Sequence, residues 1–177
     1  MPHLHNESVL EHSAAVAKIA LELGALLCTI VGYWHLKWLG PKVAIAALYH
    51  DDAEAISGDI PGDYKSRLGL DGVDATAAQY TNRSMPDDIR PLFQSMVSGK
   101  SLDQLEHSLL KYADLMAAYA YCVAEKNMGN LYAAKTLPPI AETMYAILEA
   151  EPVLWELYLH HPFIFPNSKL AEVPAVA

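Results

Sequence analysis

The segment Leu48-Tyr49-His50-Asp51-Asp52-Ala53-Glu54 sets an imidazole directly beside a carboxylate at the end of an apolar run. The pair offers one nitrogen and one oxygen to a divalent metal. Neighbours on a helix diverge by about 100°, so the two side chains do not share a face. They can hold one ion together only from the wedge between their directions, with further ligands supplied by other helices. Candidates stand on both sides. Glu11-His12-Ser13 lies upstream, and Lys111-Tyr112-Ala113-Asp114 lies downstream in a second apolar run. His12, His50, Asp51 and Asp114 together make two imidazoles and two carboxylates. That donor set suits one mid-series divalent ion (Mn, Co, Fe, Ni or Zn) and is too rich in nitrogen for a typical Mg or Ca site.

Each residue also has a plainer reading. A His-Asp dipeptide by itself is usually a surface or capping pair. At the end of an apolar helix, however, a buried polar pair needs a partner or a metal. His12 alone reads as a helix histidine with an ordinary hydrogen bond. Asp114 sits between Ala113 and Leu115, where an unpaired buried carboxylate is costly, and an ion pair with Lys111 one turn earlier is its alternative. Glu54 follows Asp51 by three residues, near the same helix face. It could position or deprotonate a water whose pKa a divalent ion has lowered; otherwise it is a solvated or capping carboxylate. Asp59 and Lys65 flank the loop Gly58-Asp59-Ile60-Pro61-Gly62. Backbone donors beside a lysine suit a phosphate, though the same loop could simply connect two helices. His35 and His107 read as surface or helix-packing residues, and His160-His161 before Pro162 as a helix end.

The elements that must position these residues are helices almost throughout. Ser8 reads as an N-cap with Glu11 as its capping-box partner. From there Val9, His12, Val16, Ile19, Leu23 and Leu26 recur every three or four residues, which puts His12 on the buried face. Gly32 ends that helix. Pro41 opens the next, and the apolar stretch from Val43 to Tyr49 reads as a central helix that delivers His50-Asp51. Helical character continues from Asp52 to Ile56. Shorter helices are expected over 63–68, 71–82 and from Ser84 onward, with a turn over 98–101. A long helix from about Leu102 to Lys126 presents Leu105, Leu109, Tyr112, Leu115, Met116 and Tyr119, and Gly129-Asn130 ends it. Leu131 to Ala150 is a further helix that Pro138-Pro139 kink or interrupt. The tail after Pro162 reads as irregular. No strand, repeat or low-complexity segment stands out.

The 177 residues are most simply one domain, 1–177, long enough to bury a core. Hydrophobic residues make up 53% and charged ones 19%, which excludes a disordered chain. A formal charge of −9 argues against nucleic-acid polymers and anionic membranes as partners. It leaves a phosphate substrate open, because a metal and a few local cations can reverse the field in a pocket. Cys28 and Cys122 read as buried thiols. The polar N-terminus and the charges Lys18, Glu22 and Lys37 within the apolar stretch 14–39 point to a cytoplasmic protein without a membrane span.

The segments 7–13, 50–54, 58–61 and 111–114 together resemble the HD-domain metal-dependent phosphohydrolases, above all the bacterial YfbR-type 5′-deoxynucleotidases. Phage dATP triphosphohydrolases of the DatZ type lie in the same neighbourhood. The resemblance covers about residues 5–125, and 130–177 would add helices and a tail. It implies an all-α HD-domain bundle around one central metal ion held by His12, His50, Asp51 and Asp114. Glu54 would act on the attacking water. Asp59 would serve the sugar or the water network, Lys65 the phosphate, and Glu11 would be a further substrate-binding residue. The implied reaction releases phosphate from (deoxy)nucleoside 5′-monophosphates in a homodimer. A dNTP triphosphohydrolase releasing tripolyphosphate and a non-catalytic nucleotide- or metal-sensing module are the alternatives. Monophosphate is favoured by the few cations near the motifs, Lys65, Arg67 and Lys111. The resembling proteins carry an arginine-tryptophan pair upstream of the segment matching Met1. Either the natural start lies earlier, or His3 and His5 take over part of that task.

Overall fold

The computed structural model describes residues 8–32, 34–51, 87 and 102–160. The expectations for residues 1–7, 52–86, 88–101 and 161–177, among them those for His3, His5, Glu54, Asp59, Lys65 and Arg67, lie outside the described residues. Within them the chain is all-α, and no strand occurs.

The first helix, α1 (Val9–Val31), starts and ends where the local chemistry dictates. Ser8 accepts from the Glu11 backbone at 3.2 Å, and Glu11 Oε2 accepts from the Ser8 backbone at 2.8 Å, which closes the expected capping box. Gly32 stops the helix at φ 68°, a left-handed conformation that costs glycine nothing. The buried face centres on Ser13, Val16, Ala17, Ala20, Leu23, Gly24 and Leu27. Val9, His12, Ile19 and Leu26 flank it and are half-buried. The expected stripe is therefore rotated slightly toward the small residues, and the reason is the neighbour. Gly24 meets Gly40 at the crossing with the second helix, α2 (Leu39–Ala47). A Cβ built on Gly24 would fall inside contact distance of the Gly40 backbone, and one on Gly40 would lie 3.1 Å from the Leu21 carbonyl. Two glycines let the two backbones touch, and among the described elements α1 packs most extensively on α2.

A 3₁₀ turn, Trp34–Trp38, joins α1 to α2, and Pro41 lies in the first turn of α2. The helix is shorter than expected. It ends at Ala47, and Leu48 to Asp51 form a turn held by Leu48 N–H to Ala44 O and Tyr49 N–H to Ala46 O, both 3.1 Å. It is also one-sided: Val43, Ala44 and Ala47 are buried, whereas Ile45 and Leu48 are exposed.

Helix α3 (Gln104–Asn127) has its own capping box between Asp103 and Glu106. Glu106 Oε2 also accepts from Lys42 Nζ at 2.7 Å, which ties the start of α3 to α2. Gly129 at φ 101° turns the chain out of α3, and Asn130 caps α4 (Leu131–Ala150). Helix α4 runs unbroken through Pro138-Pro139, so the prolines neither end nor split it. Helix α5 (Pro152–His160) begins on proline, where the missing N–H is no loss. Val16, Ala20, Leu27, Val43, Leu109, Tyr112, Leu154 and Leu157 are fully buried and join α1, α2, α3 and α5 into one core, with Met144 of α4 packed beside them. By length and apolarity α1 would suffice to cross a membrane, and one of its faces packs against α2, α3 and α5.

Candidate metal centre and its cleft

Three elements bring the expected ligands together. His12 comes from the second turn of α1, His50 and Asp51 from the turn after α2, and Asp114 from the middle of α3. His12 Nε2 lies 2.9 Å from Asp114 Oδ1 and 3.7 Å from Asp51 Oδ2. His50 Nε2 lies 3.1 Å from Asp51 Oδ2 and 3.8 Å from Asp114 Oδ1. The His12, His50 and Asp51 donor atoms all fall within 4.8 Å of one another. Ligands about 2.0–2.2 Å from a four-coordinate ion stand roughly 3.3–3.6 Å apart, and the four measured separations bracket that range. The turn after α2 explains how neighbours 50 and 51 converge: the chain has left the helix, so the 100° divergence no longer applies.

The hydrogen bonds of His50 decide what the cluster can accept. Its Nδ1 and the Ala47 carbonyl are 2.7 Å apart, so Nδ1–H donates and the neutral ring carries its lone pair on Nε2. That Nε2 is buried and makes no hydrogen bond, yet it faces two carboxylate oxygens. A lone pair among carboxylates is repulsive unless a cation stands between them. A second-atom hydrogen bond to backbone carbonyl is also the common way to orient a metal-ligating histidine. The residues present therefore fit a divalent ion.

The electrostatics agree. Burial works to lower the His50 pKa, but Asp114, Asp51 and the Ala47 carbonyl outweigh it, and the net shift is upward. Burial works to raise the Asp114 pKa, but His12 and His50 hold this carboxyl far below the usual carboxylate range. Both shifts mark a place that favours positive charge. The ligand side chains of His12, His50 and Asp51 are 17–23% exposed, whereas Asp114 is 39% exposed, so the cluster opens on the α3 side. There a cleft of about 360 Å³ runs from His50 and Asp114 along α3 to His107, with Lys111 between them and Leu110 and Ile147 as apolar walls.

The four candidate residues thus lie near one another: His12, His50 and Asp51 form one group, and Asp114 joins it through its contacts with the two histidines. The alternative for Asp114, an ion pair with Lys111, is not formed; its partners are the two histidines. Glu11, expected on the substrate side, has Oε2 on the Ser8 backbone and hydroxyl at 2.8 Å each, so that oxygen caps α1. His107, read as a surface or packing residue, is exposed as expected and also lines the cleft. Its spacing was the missed signal: 107, 111 and 114 fall on one helix face. Ile147, from α4, carried no local signal at all.

Comparison with known proteins places this arrangement. The profile described as "5′-deoxynucleotidase YfbR-like" matches residues 1–153, a span that includes His12, His50, Asp51 and Asp114. A 5′-deoxynucleotidase of Klebsiella pneumoniae and one of Citrobacter koseri are each 30% identical over 135 residues, or 73% of this chain. The 5′-deoxynucleotidase YfbR of Salmonella paratyphi B is 29% identical over the same length. The chain covers 66% of the length of each of these relatives. With α1, the turn after α2, and α3 all inside the matched span, the chain belongs to the YfbR-like 5′-deoxynucleotidase family.

Proposed function

We propose that the chain is a divalent-metal-dependent phosphohydrolase that releases orthophosphate from (deoxy)nucleoside 5′-monophosphates. The observation that carries this is the His50 Nε2 lone pair, fixed by the bond to Ala47 and aimed among Asp51, Asp114 and His12. The names of the relatives supply the substrate class, and it is carried to this chain as a proposal. His12, His50, Asp51 and Asp114 would hold the ion. When bound, a divalent ion draws on a phosphoryl oxygen and makes water more acidic.

The chain's own residues do the rest. Glu54, three residues beyond Asp51, takes the proton from the attacking water. The new bond forms from that water oxygen to phosphorus, the bond from phosphorus to the 5′ oxygen breaks, and the leaving oxygen regains a proton. Asp59 steadies the sugar or the water, Lys65 neutralises phosphate charge, and Glu11 is a further substrate contact. The working state is a homodimer in the cytoplasm, which sedimentation velocity would test by mass.

The deciding experiment is a hydrolysis screen with Mn, Co, Zn, Ni and Mg over deoxy- and ribonucleoside mono- and triphosphates, with products separated by chromatography. Nucleoside plus orthophosphate from monophosphates is the expected result. Nucleoside plus tripolyphosphate would replace it with a triphosphohydrolase, and metal binding without turnover would replace it with a sensing module. Glu54→Ala should abolish phosphate release with metal content retained; full activity in that variant removes Glu54 from the reaction.

A further inference from the structure

Charge at the centre poses a problem that the four ligands do not solve. Two carboxylates cancel one divalent ion when the histidines are neutral, so the loaded centre has no net charge with which to draw a phosphate dianion. The chain as a whole is acidic, at −9. Beside Lys65, assigned to the phosphate above, a further cation can come from the cleft. Lys42 is taken, since its ammonium sits 2.7 Å from Glu106. Lys111 is the one Lys or Arg among the described residues that line the cleft, and it is exposed.

Position along α3 then assigns the rest of the cleft. At 1.5 Å per residue, Lys111 lies about 4.5 Å and His107 about 10.5 Å before Asp114 along the axis. A phosphate at the metal centre therefore has Lys111 at its side. The far end, at His107, is about one nucleoside's length away. That end has what a base needs: a flat imidazole, with Leu110 and Ile147 as apolar walls. A volume of about 360 Å³ is at the low end for small-molecule clefts and fits a mononucleotide, not a dinucleotide.

Resting on the phosphohydrolase reading above, we infer that the α3–α4 cleft is the nucleotide subsite, with Lys111 binding the phosphate and His107 with Ile147 binding the base. The test separates the two ends. Inhibition constants for orthophosphate and for deoxyadenosine are measured with KM and kcat for dAMP, in the Mn-loaded wild type, Lys111→Met, Lys111→Arg and His107→Ala. Lys111→Met should raise KM for dAMP and the inhibition constant of orthophosphate at least tenfold. It should leave the deoxyadenosine constant and the metal content within twofold, and Lys111→Arg should recover most of the loss. His107→Ala should show the reverse pattern, weakening deoxyadenosine at least fivefold and sparing orthophosphate. Constants unchanged within twofold in both Lys111→Met and His107→Ala overturn the subsite. If the wild type hydrolyses no monophosphate, the phosphohydrolase reading fails by itself. The cleft is then judged by calorimetric titration of dAMP into the Mn-loaded protein. Binding lost in Lys111→Met upholds it, and no binding, or binding that is unchanged, overturns it.

Discussion

Asp114 and His50 make the pH behaviour of the protein readable from two side chains. The Asp114 carboxyl is held far below its ordinary value of 3.8, so its contribution to stability is present above that value and fades as pH falls below it. The His50 imidazole is raised above its ordinary 6.5, so its contribution is full below 6.5 and fades as pH climbs through the raised value. Chelated protein should therefore melt highest between about pH 4 and 6.5 and lose melting temperature toward pH 8. Added Mn or Co should reverse that decline, because the ion takes the place of the proton between the same carboxylates. Melting curves from pH 4 to 9, with chelator and with metal, would show it. A chelated protein equally stable at pH 6 and 8 would contradict it. That His12, His50, Asp51 and Asp114 come together was legible because buried polar residues in apolar runs need partners. His50's choice of tautomer was not, because it depends on the Ala47 carbonyl, which only the folded turn presents.

At the scale of the elements, what sequence shows well is where helices begin and end. Ser8 with Glu11 and the positive-φ Gly32 and Gly129 are local chemistry, and each sits where its type implies. The early end of α2 and the unbroken α4 were not legible. The first depends on the turn that carries His50 and Asp51. In the second, tertiary packing of Leu137, Ala141 and Met144 overrides the lost N–H groups of Pro138 and Pro139. Glu106 shows how one side chain can serve two elements, since it accepts from the Asp103 backbone and from Lys42, both at 2.7 Å. Glu106→Ala should remove both bonds and destabilise the fold by about 1–3 kcal/mol in denaturant melts. A change under about 0.5 kcal/mol, the usual scatter for surface substitutions, would mean the tie is idle.

For the whole molecule, the close approach of Gly24 to Gly40 ties α1 to α2. Gly24→Ala puts a methyl group against backbone, which cannot yield as a side chain end can. The expected cost is about 1–3 kcal/mol or more in unfolding free energy, and a neutral result would mean the helices are not this close. The fold class was legible in the helical periodicity, while this approach was hidden, because glycines in apolar runs look like helix defects until a partner helix is known. The same touch has a consequence away from stability. It is a fulcrum, with α1 as the beam and His12 at its far end. His12 lies 12 residues from Gly24, about 18 Å along the axis, so a tilt of about 3° at the crossing swings the imidazole by about 1 Å. Displacements of that size can cost a positioned site about a hundredfold. A methyl group added far from the chemistry would thus detune it by leverage, with the lever still folded.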